Sequence, residues 1–385
     1  MTSRQQPKPQ QIAARALRAL AVVVFLAAPP AETADDLLAR RADIAIDRGL
    51  AWLAARQQES GAWSNERHPA LTALPLWAFA RSSHPGRDTI VSNAVAFVVQ
   101  AVQDDGGIYR NNLVTGGLST YNTALCMIAL HATGDPSLNR IVLDARRFMA
   151  ESQKLTGDEA DGGFGYSRRT FLLHADLQNT AAAAQAMRLT AGVEDMRPSA
   201  EGRVDIDWER MVGFIERLQN DEDTGPEHAG GITYKPGSAK AGTDETPDGS
   251  VVLRSSGSMT YSGLLSMIYA DLDRDDPRVR SAYEWARRHW SVEQNPGVGA
   301  SGLYFYLRVM ARAMDAYGTD RIVRENGGTV RWPRELMSKL VDAQKTGNTP
   351  DEGYWVNDES NRFWEGDPVL VTAYSILALQ TALGR

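Results

Sequence analysis

The sequence predicts an all-α protein folded as a double ring, six outer helices around six inner ones. Three observations predict it. One pattern recurs six times between residues 42 and 384. Two kinds of helical stretch alternate within that pattern. The chain has 385 residues, 43% hydrophobic and 23% charged, which is enough for a large core. Such a length would otherwise suggest two or three domains, and the repeats replace that expectation with one domain in which small units share a ring.

Each unit reads as an amphipathic stretch, a glutamine, a glycine with an aromatic residue, and then a nearly all-apolar stretch. The first carries Gly49, Trp52, Leu53 and Gln57-Gln58, then Gly61-Ala-Trp63. The second has Gln103 and Gly106-Gly-Ile-Tyr109, and the third Gln153 and Gly162-Gly-Phe-Gly-Tyr166. The fourth has Gln219 and, after an acidic loop, Gly230-Gly-Ile-Thr-Tyr234. A fifth is degenerate, Gln294-Asn-Pro-Gly-Val-Gly299, and the sixth has Gln344 with Gly353-Tyr-Trp355. Units of about 57 residues suit two helices and two loops each.

The two helices of a unit differ in where water can reach them. Residues 278–290 place Val279, Ala282, Trp285 and Ala286 at helical spacing among polar residues, which predicts an outer helix with one wet face. Tyr121-Asn-Thr-Ala-Leu-Cys-Met-Ile-Ala-Leu130 and residues 369–380 are apolar or small all round, which predicts inner helices. Asp135-Pro136, Asp276-Pro277 and Asp367-Pro368 place a capping carboxylate before a first-turn proline. Gly134, Gly192 and Gly318 stand where helices should stop. An open solenoid would also alternate, but it would not need an inner layer apolar on every face.

Residues 1–34 read as an export signal: Arg4, Lys8, Arg15 and Arg18 precede the apolar run 20–28, too short to span a bilayer. Pro29 and Pro30 interrupt the small-residue pattern, so the cleavage point stays open. The expected product is exported, periplasmic or secreted, and forms one domain over 35–385. The net charge of -7 and the lack of a long basic run argue against nucleic acid as a partner. The single cysteine, Cys126, excludes an internal disulfide framework and a multi-cysteine zinc cluster.

The repeated Gly49, Trp52, Leu53, Gln57, Gly61 and Trp63 pattern resembles the Gln-Trp repeats of squalene–hopene cyclases and protein prenyltransferase β-subunits. The resemblance covers essentially residues 42–384. It extends to bacterial exported prenyltransferase/squalene-oxidase repeat proteins through His174-Ala-Asp-Leu-Gln-Asn-Thr180, Ser258-Met-Thr-Tyr-Ser-Gly263, Leu303-Tyr-Phe-Tyr306 and residues 364–374. It implies an (α/α)6 toroid whose cavity opens at the inner-helix N-termini. A terpene cyclase, isomerase or prenyltransferase activity is the family expectation.

Class II cyclases of this resemblance carry a D-x-D-D-T acid at the start of an inner helix. The matching segment is Asp176-Leu-Gln-Asn-Thr180, with Gln178 in the proton donor's place, and an amide is no general acid. Asp273-Arg-Asp-Asp276 matches literally but precedes Pro277 and an outer helix, where an N-cap is expected. No Asp/Cys/His zinc site surrounds Cys126, no thioester motif occurs, and neither a metal nor a cofactor is implied.

Candidate catalytic residues are Asp176 and Asp367, with Glu365 nearby; each aspartate is equally explained as a helix cap. Candidate ligand-binding residues are Tyr121, Asn122, His174, Gln178, Asn179, Tyr261, Tyr304, Tyr306 and Trp364, with Tyr374 in the same stripe. His174 and His68 are also explained as loop histidines bonded to backbone. Aromatic walls suit a terpene cation or a sugar ring. The polar insertion at 235–256 is either a lid over the bowl or a loose excursion.

Three functions fit: an isoprenoid or other apolar small molecule bound in the bowl, a carbohydrate-active enzyme using rim carboxylates, or a protein-interaction scaffold. Possible proximity to a membrane surface goes with the first. The oligomeric state is open.

Overall fold

A computed structural model describes residues 1–2, 33–110, 118–168, 174–246, 249–346 and 353–385, so nearly all of the segment 1–34 that reads as an export signal lies outside the described residues. Twelve α-helices occur among them. The outer ones are α1 (Ala34–Ala54), α3 (Arg87–Val99), α5 (Asn139–Ser152), α7 (Trp208–Glu216), α9 (Pro277–Arg288) and α11 (Trp332–Ala343). The inner ones are α2 (Pro69–Ala80), α4 (Ser119–Ala132), α6 (Leu177–Leu189), α8 (Gly257–Tyr269), α10 (Leu303–Tyr317) and α12 (Pro368–Ala382).

Each inner helix packs on the next, α2 on α4 and so on to α10 on α12, and α12 packs on α2. The ring is therefore closed, and the structure is the predicted all-α double ring. Burial follows the expected division. α9 buries only Val279, Ala282, Trp285 and Ala286, whereas α12 buries every residue from Val369 to Thr381. Cys126 lies fully buried in α4, and burial pushes its thiol well above the usual range. The native protein should stay silent toward a disulfide reagent at pH 8, and release one thiol per chain only on denaturation; prompt native reaction would contradict this packing.

The repeat residues hold neighbouring units together. The Gln57 amide nitrogen donates to Gly61 O at 3.1 Å and to Ile90 O of the next outer helix at 3.0 Å. Gln153 does the same to Gly162 O and Asp207 O, and Gln219 to Gly230 O and Arg278 O. Gln344 donates to Ala45 O at 2.8 Å, which joins the sixth unit to the first. A second staple runs inward. The backbone N–H groups of Trp63, Ile108, Phe164, Ile232 and Trp355 donate to the hydroxyls of Thr72, Thr123, Thr180, Thr260 and Thr372 on the inner helices, at 2.8–3.1 Å. In the degenerate fifth unit, Asn295 Oδ1 instead accepts from Ser258 N at 2.9 Å.

The repeat glycines allow these approaches. Gly162 has φ +85°, and a Cβ there would lie 1.9 Å from Arg210 O at the start of α7. Gly61 is held likewise against Asn93 O.

Three details differ from the expected punctuation. Asp135 caps a 3-10 turn, Pro136–Leu138, that leads into α5, because its carboxylate accepts from Ser137 N. Gly192 sits inside a 3-10 turn, Ala191–Met196, and α6 stops earlier at Leu189. Short hairpins decorate the loops: β1 (Thr243–Glu245) with β2 (Val251–Leu253), β3 (Arg321–Val323) with β4 (Thr329–Arg331), and β5 (Lys345–Thr346) with β6 (Gly353–Tyr354). The first lies in the 235–256 insertion and is tied down by His228 Nε2 and the Asp244 carboxylate at 2.8 Å. The described residues of the insertion, 235–246 and 249–256, are thus folded against the ring as a flap.

Candidate functional site

A cavity of about 200 Å³ occupies the ring's centre at the N-terminal ends of the inner helices. Ala70, Leu71 and Leu74 of α2 and Leu370 and Tyr374 of α12 form its apolar side. Tyr121 and Asn122 of α4 and Gln178 of α6 face it, and the loop residues His68, Leu118, Tyr166, Phe363 and Trp364 complete the wall. These positions follow from the ring: the first turns of inner helices point their side chains at the axis. Asn122 also holds the wall in place, because its Oδ1 accepts from Ala70 N at 3.0 Å.

Behind Gln178 lies a buried polar group. Asp176 is fully buried as the N-cap of α6, accepting from Asn179 N at 3.0 Å and from the Asn179 amide at 2.8 Å. Burial pushes its carboxyl above the ordinary carboxylate range, against the pull of those two bonds. The Tyr234 phenol stands beside the same carboxylate and beside Tyr166, which reaches the cavity, and burial first, then the Asp176 charge, pushes it up.

The flap closes over this group. Lys240 extends from the insertion, donates to Gln178 Oε1 at 2.9 Å, and lies 3.8 Å from the Tyr234 ring centre and 4.7 Å from that of Phe363. Burial lowers its amine to about 8. Since α6 and α12 stand opposite each other in the ring, Lys240 and Phe363 together bridge the mouth. Phe363 and Trp364 both take left-handed backbone conformations, φ 59° and 68°. Each such residue costs about 1–3 kcal/mol, and here the strain turns two aromatic rings inward. Trp364 remains 49% exposed and meets His68 edge-on at 4.9 Å. Burial, then Arg67, lowers the His68 imidazole below its ordinary range.

The candidate residues separate into groups. Tyr121, Asn122, Gln178 and Trp364 line the cavity, and Asn179 stands behind it holding Asp176. His174 lines a separate surface groove with Asp158, Lys235 and Pro236. Tyr261 and Tyr306 pack on each other in the core, the Tyr306 hydroxyl donating to Ser291 O at 2.6 Å. Tyr304 is buried, which raises its phenol to about 12, with the charge of Glu365 adding to the effect. Asp367 caps α12 through Val369 N at 2.9 Å and accepts from the Ser64 hydroxyl. Neither Asp176 nor Asp367 is among the described cavity-lining residues.

Tyr166, Phe363 and Lys240 were not among the candidates. Tyr166 is the aromatic of the third repeat loop, a signal that was present. Nothing in the residue types marks a left-handed Phe363 or the reach of Lys240. Glu365 serves a different purpose from a rim acid: fully buried, it accepts from Phe305 N at 2.8 Å and from the Asn357 amide at 2.7 Å, capping α10. Among the described residues, no three His, Cys, Asp or Glu side chains are grouped to hold a metal ion, and no helix is long and apolar enough to cross a membrane.

No family model matches the sequence, and no curated protein matches it. Solved structures do. The type II terpene cyclase MstE from Scytonema, in a complex with merosterolic acid A, aligns over 90% of this chain and 99% of its own with a TM-score of 0.53 at 12% identity. Its apo form gives 0.54 over the same coverage. The GH76A α-1,6-mannanase of a Salegentibacter species aligns equally fully, with TM-scores of 0.54 and 0.56 at 10% and 8% identity. At such identities the likeness is one of architecture, and the chain has the α/α-toroid fold that this terpene cyclase and this mannanase share.

Proposed function

We propose that the ring is a receptor for an apolar small molecule of isoprenoid type, held in the central cavity beneath the Lys240 flap. The observation that carries the reading is the wall itself: five aliphatic and five aromatic residues, three polar ones, and no carboxylate among those described. A glycosidase needs two carboxyl groups facing the scissile bond. Here Asp176 is sealed behind Asn179 and Tyr234, and Asp367 is occupied by its own helix and Ser64. Alkene protonation lacks its acid too, because Gln178 occupies the acid's position in the wall and accepts a bond from Lys240. Binding, with no proton-initiated cyclisation, is the activity this wall supports.

The volume bears on how a ligand enters. About 200 Å³ falls below the roughly 300–1,000 Å³ of most small-molecule sites, so a longer chain needs the flap to lift. With residues 1–34 read as an export signal, the ligand would be met outside the cytoplasm. The test is to extract purified full-length protein and identify its bound small molecules by mass spectrometry. An apolar, isoprenoid-type lipid is expected. Oligosaccharide without lipid would overturn the reading in favour of a carbohydrate-active toroid.

A further inference from the structure

This inference rests on the apolar-ligand reading and concerns the rim just outside the same cavity. Where the ring closes, the loop before α2 and the loop before α12 enclose a surface groove of about 350 Å³, lined by Ser64, Asn65, Asn361, Gly366 and Asp367. Leu71 and Trp364 line this groove and the central cavity alike, so the two spaces meet at those side chains. The compartments differ in chemistry. The cavity is walled mainly by aliphatic and aromatic residues, whereas the groove adds two amides, a hydroxyl and a carboxylate. Together they reach the roughly 300–1,000 Å³ of most small-molecule sites, which the cavity alone does not.

Backbone strain is concentrated at the same place. Among the described residues, five other than glycine have φ between 51° and 68°, and four of them, Ser64, Leu118, Phe363 and Trp364, line the cavity or the groove. A left-handed backbone at a residue as bulky as tryptophan is unfavourable and persists where the surrounding structure imposes it. Here it leaves Trp364, alone among the described tryptophans, exposed. An indole held out at the edge of an apolar cavity offers a flat face to a ring lying in the groove.

The polar groups define what that ring carries. Asn361 opens the turn Arg362–Trp364 without bonding it through its side chain, so the exposed amide is not spent on the turn. Asn65 is exposed too; its Oδ1 accepts from Arg67 N at 3.0 Å, and its amide N–H groups remain donors. The Asp367 carboxylate takes one bond from Val369 N at 2.9 Å and one from the Ser64 hydroxyl, about half of what its oxygens can accept. Such a set suits neutral hydroxyl groups, which both give and take hydrogen bonds. The carboxylate opposes an anionic head, and a quaternary ammonium would call for more than one aromatic face.

We infer that the rim groove is the head-group half of the ligand site, and that the ligand is an amphiphile: one neutral, hydroxyl-bearing ring, such as a sugar, lies against Trp364, and its apolar tail enters the central cavity.

The test titrates full-length wild type and the double variant Asn65→Ala, Asn361→Ala by calorimetry with octyl β-glucoside below its micelle concentration, with 1-octanol and with methyl β-glucoside. Wild type should bind octyl glucoside at least about tenfold more tightly than octanol. Methyl glucoside should bind at least about tenfold more weakly than octyl glucoside, because it buries no tail. The double variant should lower the octyl glucoside to octanol ratio by at least about fivefold while octanol affinity is kept. If wild type binds the two octyl compounds equally, or the ratio survives in the double variant, the head-group groove is wrong and the apolar cavity stands. If methyl glucoside matches octyl glucoside, the groove takes a sugar without a tail and the amphiphile is wrong. If wild type binds neither octyl compound, the apolar-ligand reading itself falls. Should the double variant fail to fold, Asn361→Ala alone, at an exposed position, should lower the ratio by at least about twofold.

Discussion

Replacing Glu365 with alanine should lower the free energy of unfolding by about 3–5 kcal/mol, read as a shift of the urea midpoint. The magnitude follows from what the carboxyl holds. Its Oε1 accepts from Phe305 N and its Oε2 from the Asn357 amide, and the Tyr304 and Leu303 amides at the start of α10 also favour its charge. Alanine orphans that whole set in a buried place and uncaps α10. Glu365→Gln keeps an acceptor toward the helix and should cost only about 1–2 kcal/mol.

The same residue predicts a pH dependence. Burial raises the Glu365 carboxyl from its ordinary value to about 7, outweighing the amides that favour the ionised form. The folded state therefore holds a proton that the unfolded state has released. Its contribution is fully present below about pH 4.5 and is lost as the pH rises through about 7, a change on the order of 3 kcal/mol. Urea titrations at pH 5 and pH 8 should show wild type losing more stability over that interval than Glu365→Gln. Parallel curves would mean that the carboxyl stays ionised throughout.

Gly162→Ala should be the most damaging change to a single repeat loop. A methyl there meets Arg210 O at 1.9 Å, and the backbone is left-handed, φ +85°. The left-handed conformation costs an L-residue about 1–2 kcal/mol. Displacing the α7 backbone adds an overpacking cost of about 1–3 kcal/mol. Gly157 is the natural control: it has φ +73° but nothing within 4 Å of an added Cβ, so Gly157→Ala should lose only the conformational part. Thermal unfolding of the two variants side by side separates close approach from chain conformation, and equal losses would refute the contact.

The ring was legible because its causes are periodic. The glutamines, glycines and aromatics each recur at the same place in the unit, and the two burial patterns distinguish outer from inner helices. The inward threonine staple was equally periodic and was missed, because Thr72 or Thr260 reads as one more small residue on an apolar helix. Thr180 was noticed only as the end of an acid-like motif, while its hydroxyl serves the Phe164 backbone.

The cavity was legible in part. Tyr121, Asn122, Gln178 and Trp364 could be placed because the first turn of an inner helix, or the loop before it, must face the axis. Tyr261 and Tyr306 hold comparable sequence positions yet face the core, since adjacent turns of one helix point different ways and only packing decides between them. Lys240 reaches Gln178 from a loop 62 residues further along the chain. Its role arises from tertiary distance, which no local spacing encodes.

Closure of the ring also bears on synthesis. Gln344 meets Ala45, α12 packs on both α1 and α2, and Arg385 pairs with Asp43 at 2.6 Å. The edge of α1 thus waits for α11 and α12, some 300 residues later, before it is covered. Long-range contacts of this kind slow folding and expose apolar surface while the chain is incomplete. A nascent chain of this design is left with two open apolar edges until α12 has been made, and those edges must be kept apart from other chains until then.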